Sequence, residues 1–289
     1  MNLRYLPNNS ITRQLEPVSL NLKQATSLII ERARQLVNQL IEGRGHDKPP
    51  FLPEEFARLQ GIKKIVKANL GEVSAVLLKF SDGYVIKVNE KHHPVKQNFS
   101  CAHEIGHILL RELKIELDTE NIGYRTFNPQ ARGIAISKAR ERLCEAAAAE
   151  LLMPEAIFRK FLSNFGISVN SIEPLAHIFR TSIQATAFRI AEVSTEPCLI
   201  LRWQLWPINK PKGFRLIRCV GPEKKSRAMP LHTFVKHPST LYKAYENGSS
   251  VKSHKLFRRG TDVKRLPMES KGFGRGENRY VVSLAFPGR

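Results

Sequence analysis

The pentad His103-Glu104-Ile105-Gly106-His107 is the part of this 289-residue chain whose residue types and spacing could do chemistry. Four residues are about 400° of helical rotation, so on a helix both imidazoles project from nearly one face and can ligate one ion, with Glu104 beside them. That layout suits a zinc hydrolase, in which the ion polarises a carbonyl and acidifies a water while the carboxylate takes the proton. Catalytic zinc takes three protein ligands and keeps one position open, so a third ligand has to come from elsewhere. The helical stretch Ser137–Met153 offers Glu141, Glu145 and Glu150. Glu141 and Glu145 are spaced i, i+4, so one could ligate while the other accepts the free ring N–H of a zinc histidine. The same pair could equally be surface glutamates bridging Arg140 and Arg142. Cys101 reads as a small buried apolar side chain rather than a ligand. His92 and His93, before Pro94, read as a surface turn, and His46 as a loop residue.

These groups need elements to hold them. From Ser19 to Ile41, Leu22, Ala25, Leu28, Ile29, Leu36, Val37, Leu40 and Ile41 recur at three- and four-residue steps, an amphipathic helix that Gly43-Arg44-Gly45 stops. Pro53 and Gly61 bracket a short helix around Glu54–Gln60. Val73–Phe80 and Tyr84–Val88 flank Ser81-Asp82-Gly83, a hairpin signal. Asn98 or Ser100 can cap a helix over Cys101–Leu113 that carries the pentad and buries Ile108-Leu109-Leu110 on its other side. Ala146–Ala149 lie within Ser137–Met153, which Pro154 ends. Two short helices, Ser171–Arg180 and Ile183–Val193, have the pattern of a helix-turn-helix in which only Gln184, Thr186 and Arg189 could face a groove, and a packing module that completes the peptidase is preferred over DNA reading. Beyond Pro197 the runs are short and alternating, closing with Tyr280–Phe286, which predicts a β-rich C-terminal domain built on an antiparallel sheet. The expected class is α+β, divided into 1–165, 166–197 and 198–289.

Asn98-Phe99-Ser100-Cys101-Ala102-His103-Glu104-Ile105-Gly106-His107-Ile108-Leu109-Leu110, followed by Glu141-x-x-Cys144 and Ala148-Ala149-Glu150-Leu151-Leu152-Met153-Pro154, resembles the ImmA/IrrE family of metallo-endopeptidases. The resemblance covers roughly residues 20–195. It implies a zincin-like core, Zn²⁺ with Mn²⁺ as the alternative ion, His103, His107 and Glu141 as ligands, and Glu104 as the catalytic carboxylate. In the related gluzincin arrangement a short acid or amide follows the ligand glutamate by four residues, the place Glu145 fills here with a longer side chain. Tyr124 and Arg125, in the loop between the two blocks, are expected near the substrate. Tyr124 and His177 are the candidates for stabilising the oxyanion. By analogy with zincins, Tyr84–Val88 is nominated as the edge strand that pairs with substrate. The family's implied substrate is a helix-turn-helix transcriptional repressor, cleaved in a stress or mobile-element response, and its three-part members suggest a GAF-like third domain at 198–289.

Charge qualifies this picture. Lys and Arg number 46 against 26 Asp and Glu, a formal net charge of +20. Residues 201–289 hold 20 and 5 of these, or +15, leaving 26 and 21, or +5, for residues 1–200. The basic surplus is therefore a C-terminal property that suits DNA or another anionic surface. No apolar stretch approaches the roughly 20 residues of a membrane span, and Met1–Ser10 lack a signal-peptide core, so a cytoplasmic protein with reduced cysteines and no membrane partner is expected. The competing function is a DNA-associated regulator with a structural zinc site. An unrestricted peptidase for unfolded chains is the remaining alternative.

Overall fold

The structure, a computed structural model, describes residues 19–117, 129–207, 213–221, 233–236, 239–259 and 262–287. The chain divides into two compact units, the first made of Met1–Gly45, Pro53–His92 and Phe99–Leu151, the second of His46–Leu52, His93–Asn98 and Leu152–Arg289.

In the first unit β1 (Ser19–Leu20) leads into α1 (Leu22–Arg44). Asn21 starts this helix, because its side chain accepts from the Gln24 amide at 3.0 Å while Gln24 accepts from the Asn21 amide at 3.1 Å. Gly45 ends it with φ 70°, a conformation that suits a residue without Cβ. The helix buries Ala25, Ile29, Ala33, Leu36, Val37 and Leu40. Leu28, expected on this stripe, points outward at 40% exposure. After α2 (Pro53–Leu59) come β2 (Ile62–Ala68), β3 (Ala75–Phe80) and β4 (Gly83–Asn89), forming a mixed sheet in the order β2-β4-β3. The hairpin β3–β4 is the one expected. The strand β2 was not anticipated, since Lys63, Lys64 and Lys67 mask its alternation, yet it pairs in parallel along the outer side of β4.

The helix α3 (Pro94–Glu112) carries the pentad. It begins seven residues before the expected start at Cys101, because proline is well suited to the first position, where no amide donor is needed. The amides of Lys96 and Gln97 bond the His93 carbonyl. Following β5 (Glu116–Leu117), which pairs in parallel with β1, α4 (Pro129–Leu152) likewise opens on a proline, eight residues earlier than expected. Glu150, one of the three glutamates offered as a ligand, is 1% exposed and bonded to Arg34 Nε of α1 at 3.1 Å. It ties two helices together. Ile105 and Leu109 of α3, Leu143, Ala147 and Leu151 of α4, and Ile86 of β4 fill the core of the unit.

The second unit starts with α5 (Glu155–Phe165), a helix not anticipated from the sequence, which buries Ile157, Phe158 and Leu162 and stops at Gly166. A 3₁₀ turn then leads to α6 (Ile172–Phe179) and α7 (Ile183–Val193), joined by a turn in which Arg180 has φ 51°. The helix pair exists as expected, and two of the three side chains offered to a DNA groove are buried. Thr186 is fully buried and shares a 2.8 Å hydrogen bond with Thr181. Arg189 is 5% exposed and donates to the Met153 carbonyl at 3.0 Å, satisfying a backbone acceptor just beyond α4. Two of the three supposed reading groups are thus packing groups.

The expected C-terminal antiparallel sheet has six strands: β6 (Leu199–Trp206), β7 (Gly213–Val220), β8 (Phe234–Lys236), β9 (Val251–Arg259), β10 (Asp262–Phe273) and β11 (Tyr280–Ala285), in the order β8-β7-β6-β11-β10-β9. The intervening α8 (Thr240–Asn247) buries Leu241 and Ala244 against Leu201, Trp203, Phe214, Leu216 and Val281 on one face of the sheet. Three buried polar side chains there pair with one another: Trp203 Nε1 donates to Ser283 Oγ at 3.0 Å, and Ser283 and Ser270 share a 2.7 Å bond. Among the described residues no helix is long and apolar enough to cross a membrane.

Candidate functional site

Helix α3 presents His103 and His107 one turn apart, with ring centroids 5.0 Å apart and planes at 79°. Glu141 on α4 completes a group of three. Its Oε2 lies 3.0 Å from Nε2 of His103 and its Oε1 3.8 Å from Nε2 of His107. Two ligand atoms each about 2.1 Å from a tetrahedral ion stand about 3.4 Å from each other, so the observed separations bracket what zinc requires. Two imidazole nitrogens and one carboxylate oxygen are also a donor set zinc accepts. The residues present therefore fit a metal.

The close approach of α3 and α4 is made possible by Gly106. A Cβ at that position would stand 3.0 Å from both Cα and the carbonyl oxygen of Cys144 and 3.2 Å from its Cβ. Cys144 in turn places Sγ 3.3 Å from Nδ1 of His107. When Nε2 ligates, the ring proton sits on Nδ1 and donates to that sulfur, which fixes the tautomer. Cys144 was not foreseen as a partner, because a cysteine in an apolar helix face reads as packing; the signal available was its position one turn beyond Glu141. His103, His107 and Cys144 also form a cluster whose nearest donor atoms lie within 4.8 Å of one another. The sulfur is at the Nδ1 edge of His107, whereas Glu141 lies at the Nε2 atoms of both rings, so an ion held by the two Nε2 atoms would meet Glu141 rather than Cys144.

Burial shapes the protonation states. It depresses the His107 pKa below the usual histidine value, helped by the neighbouring His103, leaving the imidazole neutral as a ligand must be. Desolvation pushes the Cys144 thiol up to about 12, and the charges of Glu141 and Glu104 act in the same direction. Glu104 has its pKa raised, first by burial, with the His103 interaction opposing. Its carboxylate also accepts a hydrogen bond from the Leu77 amide of β3.

That last contact corrects the substrate-strand expectation. Tyr84–Val88 is the middle of the three-stranded sheet, flanked by β2 and β3, and has no free edge. The unforeseen β2 occupies the side on which substrate was to pair. The strand whose outer edge meets the Glu104 carboxylate is β3.

Glu145 is exposed on α4 and makes no hydrogen bond to either histidine ring among the described residues. His177 lies on α6 in the second unit and is exposed. Tyr124 and Arg125 lie outside the described residues. Cys101 is 3% exposed, its thiol pushed up to about 12 mainly by burial, in keeping with a packing role. All four cysteines are free.

Residues 60–191, which contain both sequence blocks, match the IrrE N-terminal-like domain of a peptidase family. Proteins called radiation response metalloprotease IrrE, from Deinococcus radiodurans and Deinococcus deserti, are each 30% identical to this chain, over 115 and 119 residues. Residues 60–191 are an ImmA/IrrE-family domain. The matched stretch is 40% of this chain and only 33% and 39% of those two relatives, so the chain spans little more than a third of their length. The ImmA/IrrE domain is that of metallopeptidases, which implies a metal for the group on α3 and α4. A solved structure named Mycobacterium tuberculosis transcriptional regulator shares the fold, with a TM-score of 0.59 at 14% identity over 93% of this chain and 81% of that one.

Proposed function

We propose that this chain is a zinc-dependent endopeptidase of the HExxH type, with His103, His107 and Glu141 as metal ligands and Glu104 as the acid–base group. The observation that carries the proposal is the convergence of Glu141 on the Nε2 atoms of both histidines, with Glu104 on the same helix turn. Zinc, when bound, supplies Lewis acidity toward a peptide carbonyl and lowers the pKa of a water. Glu104 accepts that water's proton and later delivers it to the leaving amine nitrogen. Its raised pKa, a consequence of burial, suits a group that must both take and return a proton near neutrality. The Leu77 amide holds the carboxylate in place, and the edge of β3 offers backbone groups for an extended peptide. Glu141 has 52% of its side chain exposed, so the group is open on one side, as a catalytic rather than a structural zinc site requires.

The family resemblance supports a helix-turn-helix transcriptional repressor as the substrate, cut at one bond in a cytoplasmic stress or mobile-element response. The competing reading, a DNA-associated regulator with structural zinc, would recruit Cys144 as a fourth ligand, and that sulfur would have to leave the Nδ1 edge of His107. Glu104→Gln separates the two. The enzyme keeps its zinc by metal analysis and loses cleavage of a helix-turn-helix repressor that the wild type cuts, measured by product mass; a variant that still cleaves removes Glu104 from its role.

A further inference from the structure

One face of the second unit's sheet carries a patch that peptide hydrolysis does not use. The strand register fixes which side chains share it, because cross-strand partners project to the same side. Across β6, β7 and β8, Gln204 faces Arg215, which faces Phe234; Trp206 faces Gly213, which faces Lys236. Arg202 opposite Arg218 begins a third row on the same side. The other face is the one closed by α8.

Trp206 and Phe234 are 42% and 40% exposed, two of the largest apolar side chains in the chain left open to solvent. A Cβ at Gly213 would collide with the Val235 carbonyl oxygen of β8 and stand 2.8 Å from the Phe234 ring, so the missing side chain lets β8 and that ring lie close against the strand. The Arg215 guanidinium stacks 4.7 Å from the Trp206 ring centroid, and Arg202 stacks 4.8 Å from that of Tyr280. The charged residues of β6, β7 and β8 are Arg202, Arg215, Arg218 and Lys236, with no Asp or Glu in the three strands. The surface thus combines flat open rings, guanidinium planes and an undiluted positive field.

We propose that this patch binds a single strand of nucleic acid, with unpaired bases stacking on Trp206 and Phe234 and phosphates drawn to Arg215, Arg218 and Lys236. Stacking needs bases whose faces are free, which a duplex hides within its own stack. An acidic peptide would satisfy the charge and leave the two rings unused. The proposal stands on the second unit alone and is independent of the peptidase reading.

The two tryptophans make it testable on the full chain, for Trp203 is buried with its Nε1 bonded to Ser283 and only Trp206 can report a stacked base. Oligothymidylate of about 15 nucleotides, titrated at about 50 mM salt, should quench tryptophan emission to saturation. Trp206→Phe should abolish the quench and keep the affinity, read by anisotropy of a labelled strand. Trp206→Ala or Phe234→Ala should each weaken binding about 5- to 150-fold. Arg215→Ala should reduce the slope of log affinity against log salt by about 0.7. A duplex of the same length should bind more weakly, and polyglutamate should compete poorly. Absence of saturable binding, a duplex bound as tightly as the single strand, alanine variants that melt and bind like the wild type, or displacement by polyglutamate at equal charge would each overturn it.

Discussion

Replacing Gly106 with alanine adds one methyl group at the point where α3 meets α4, and its consequences can be worked from distances. The new Cβ would lie 3.0 Å from Cα and 3.0 Å from the carbonyl oxygen of Cys144. Both are backbone atoms and cannot rotate away. Carbon atoms in good contact stand about 3.5–4.0 Å apart, so the helices must separate locally by roughly 0.5–1 Å. Overpacking of this kind costs about 1–3 kcal/mol, against which alanine's helix preference over glycine returns about 1 kcal/mol. The net loss of stability should therefore be about 0–2 kcal/mol, small enough for the chain to remain folded. The metal group is less tolerant. Glu141 sits one turn before Cys144 on α4 and moves with it, whereas metal–ligand distances are held to about 0.2 Å. A shift two to five times that tolerance should lower zinc affinity at least tenfold, about 1.4 kcal/mol.

The assay is competition with a chromophoric chelator for zinc, paired with urea unfolding of the metal-free protein. Gly43→Ala provides the comparison, since a Cβ there meets nothing within 4 Å and Gly43 has an ordinary helical backbone. That variant should gain up to about 1 kcal/mol in stability and bind zinc unchanged. If Gly106→Ala holds zinc as tightly as the wild type, the close contact between the helices does not set the site's geometry and the reasoning fails.

Other outcomes follow from the same geometry. Cys144→Ala removes the acceptor for the His107 ring proton and should lower zinc affinity about 10- to 100-fold, with Cys144→Ser recovering most of it; equal affinity in the alanine variant would exclude the sulfur from that role. Glu150→Ala leaves Arg34, itself 41% exposed, to be solvated, so it should cost about 1–3 kcal/mol in urea unfolding without changing zinc stoichiometry, and an unchanged midpoint would count against the α1–α4 tie. Burial pushes the thiols of Cys101 and Cys144 up to about 12 and that of Cys219 up to about 11, above the ordinary value, so at pH 8 only about a thousandth or less of each is thiolate. Iodoacetamide should label these three slowly in the native protein and fast after denaturation; rapid native labelling at Cys101 or Cys144 would contradict their burial.

What could be read in the sequence was the chemistry whose spacing is local. Two histidines at i, i+4 share a helix face whatever the rest of the chain does, and Glu141 three residues before Cys144 follows the same rule. The hairpin β3–β4 was legible from its turn residues. The strand β2 was not, because three lysines in seven residues disguise a strand whose neighbours supply most of its burial, and missing it put β4 at an edge that does not exist. Thr186 and Arg189 were open between a groove and a packing role for a related reason: polar side chains suggest an outward face, yet a hydroxyl can pair with another hydroxyl and a guanidinium with a backbone carbonyl. Only the packing partner, Thr181 or Met153, decides which.

The same distinction explains the metal group's outer contact. A carboxylate four residues after Glu141 was the expected acceptor for a histidine ring proton, and Glu145 stands there exposed, with no bond to either ring. The acceptor that the structure provides is one residue earlier, about 100° around the helix, where only a small side chain fits against Gly106. A negatively charged acceptor would make His107 more electron-rich and so damp the Lewis acidity of a bound ion, whereas a protonated thiol donates far less density through the ring. Under the proposed zinc reading, a neutral sulfur in place of a carboxylate would trade some metal affinity for a more electrophilic site. The close crossing at Gly106 and the chemistry at His107 are consequences of a single packing choice, the small residue pair Gly106 and Cys144.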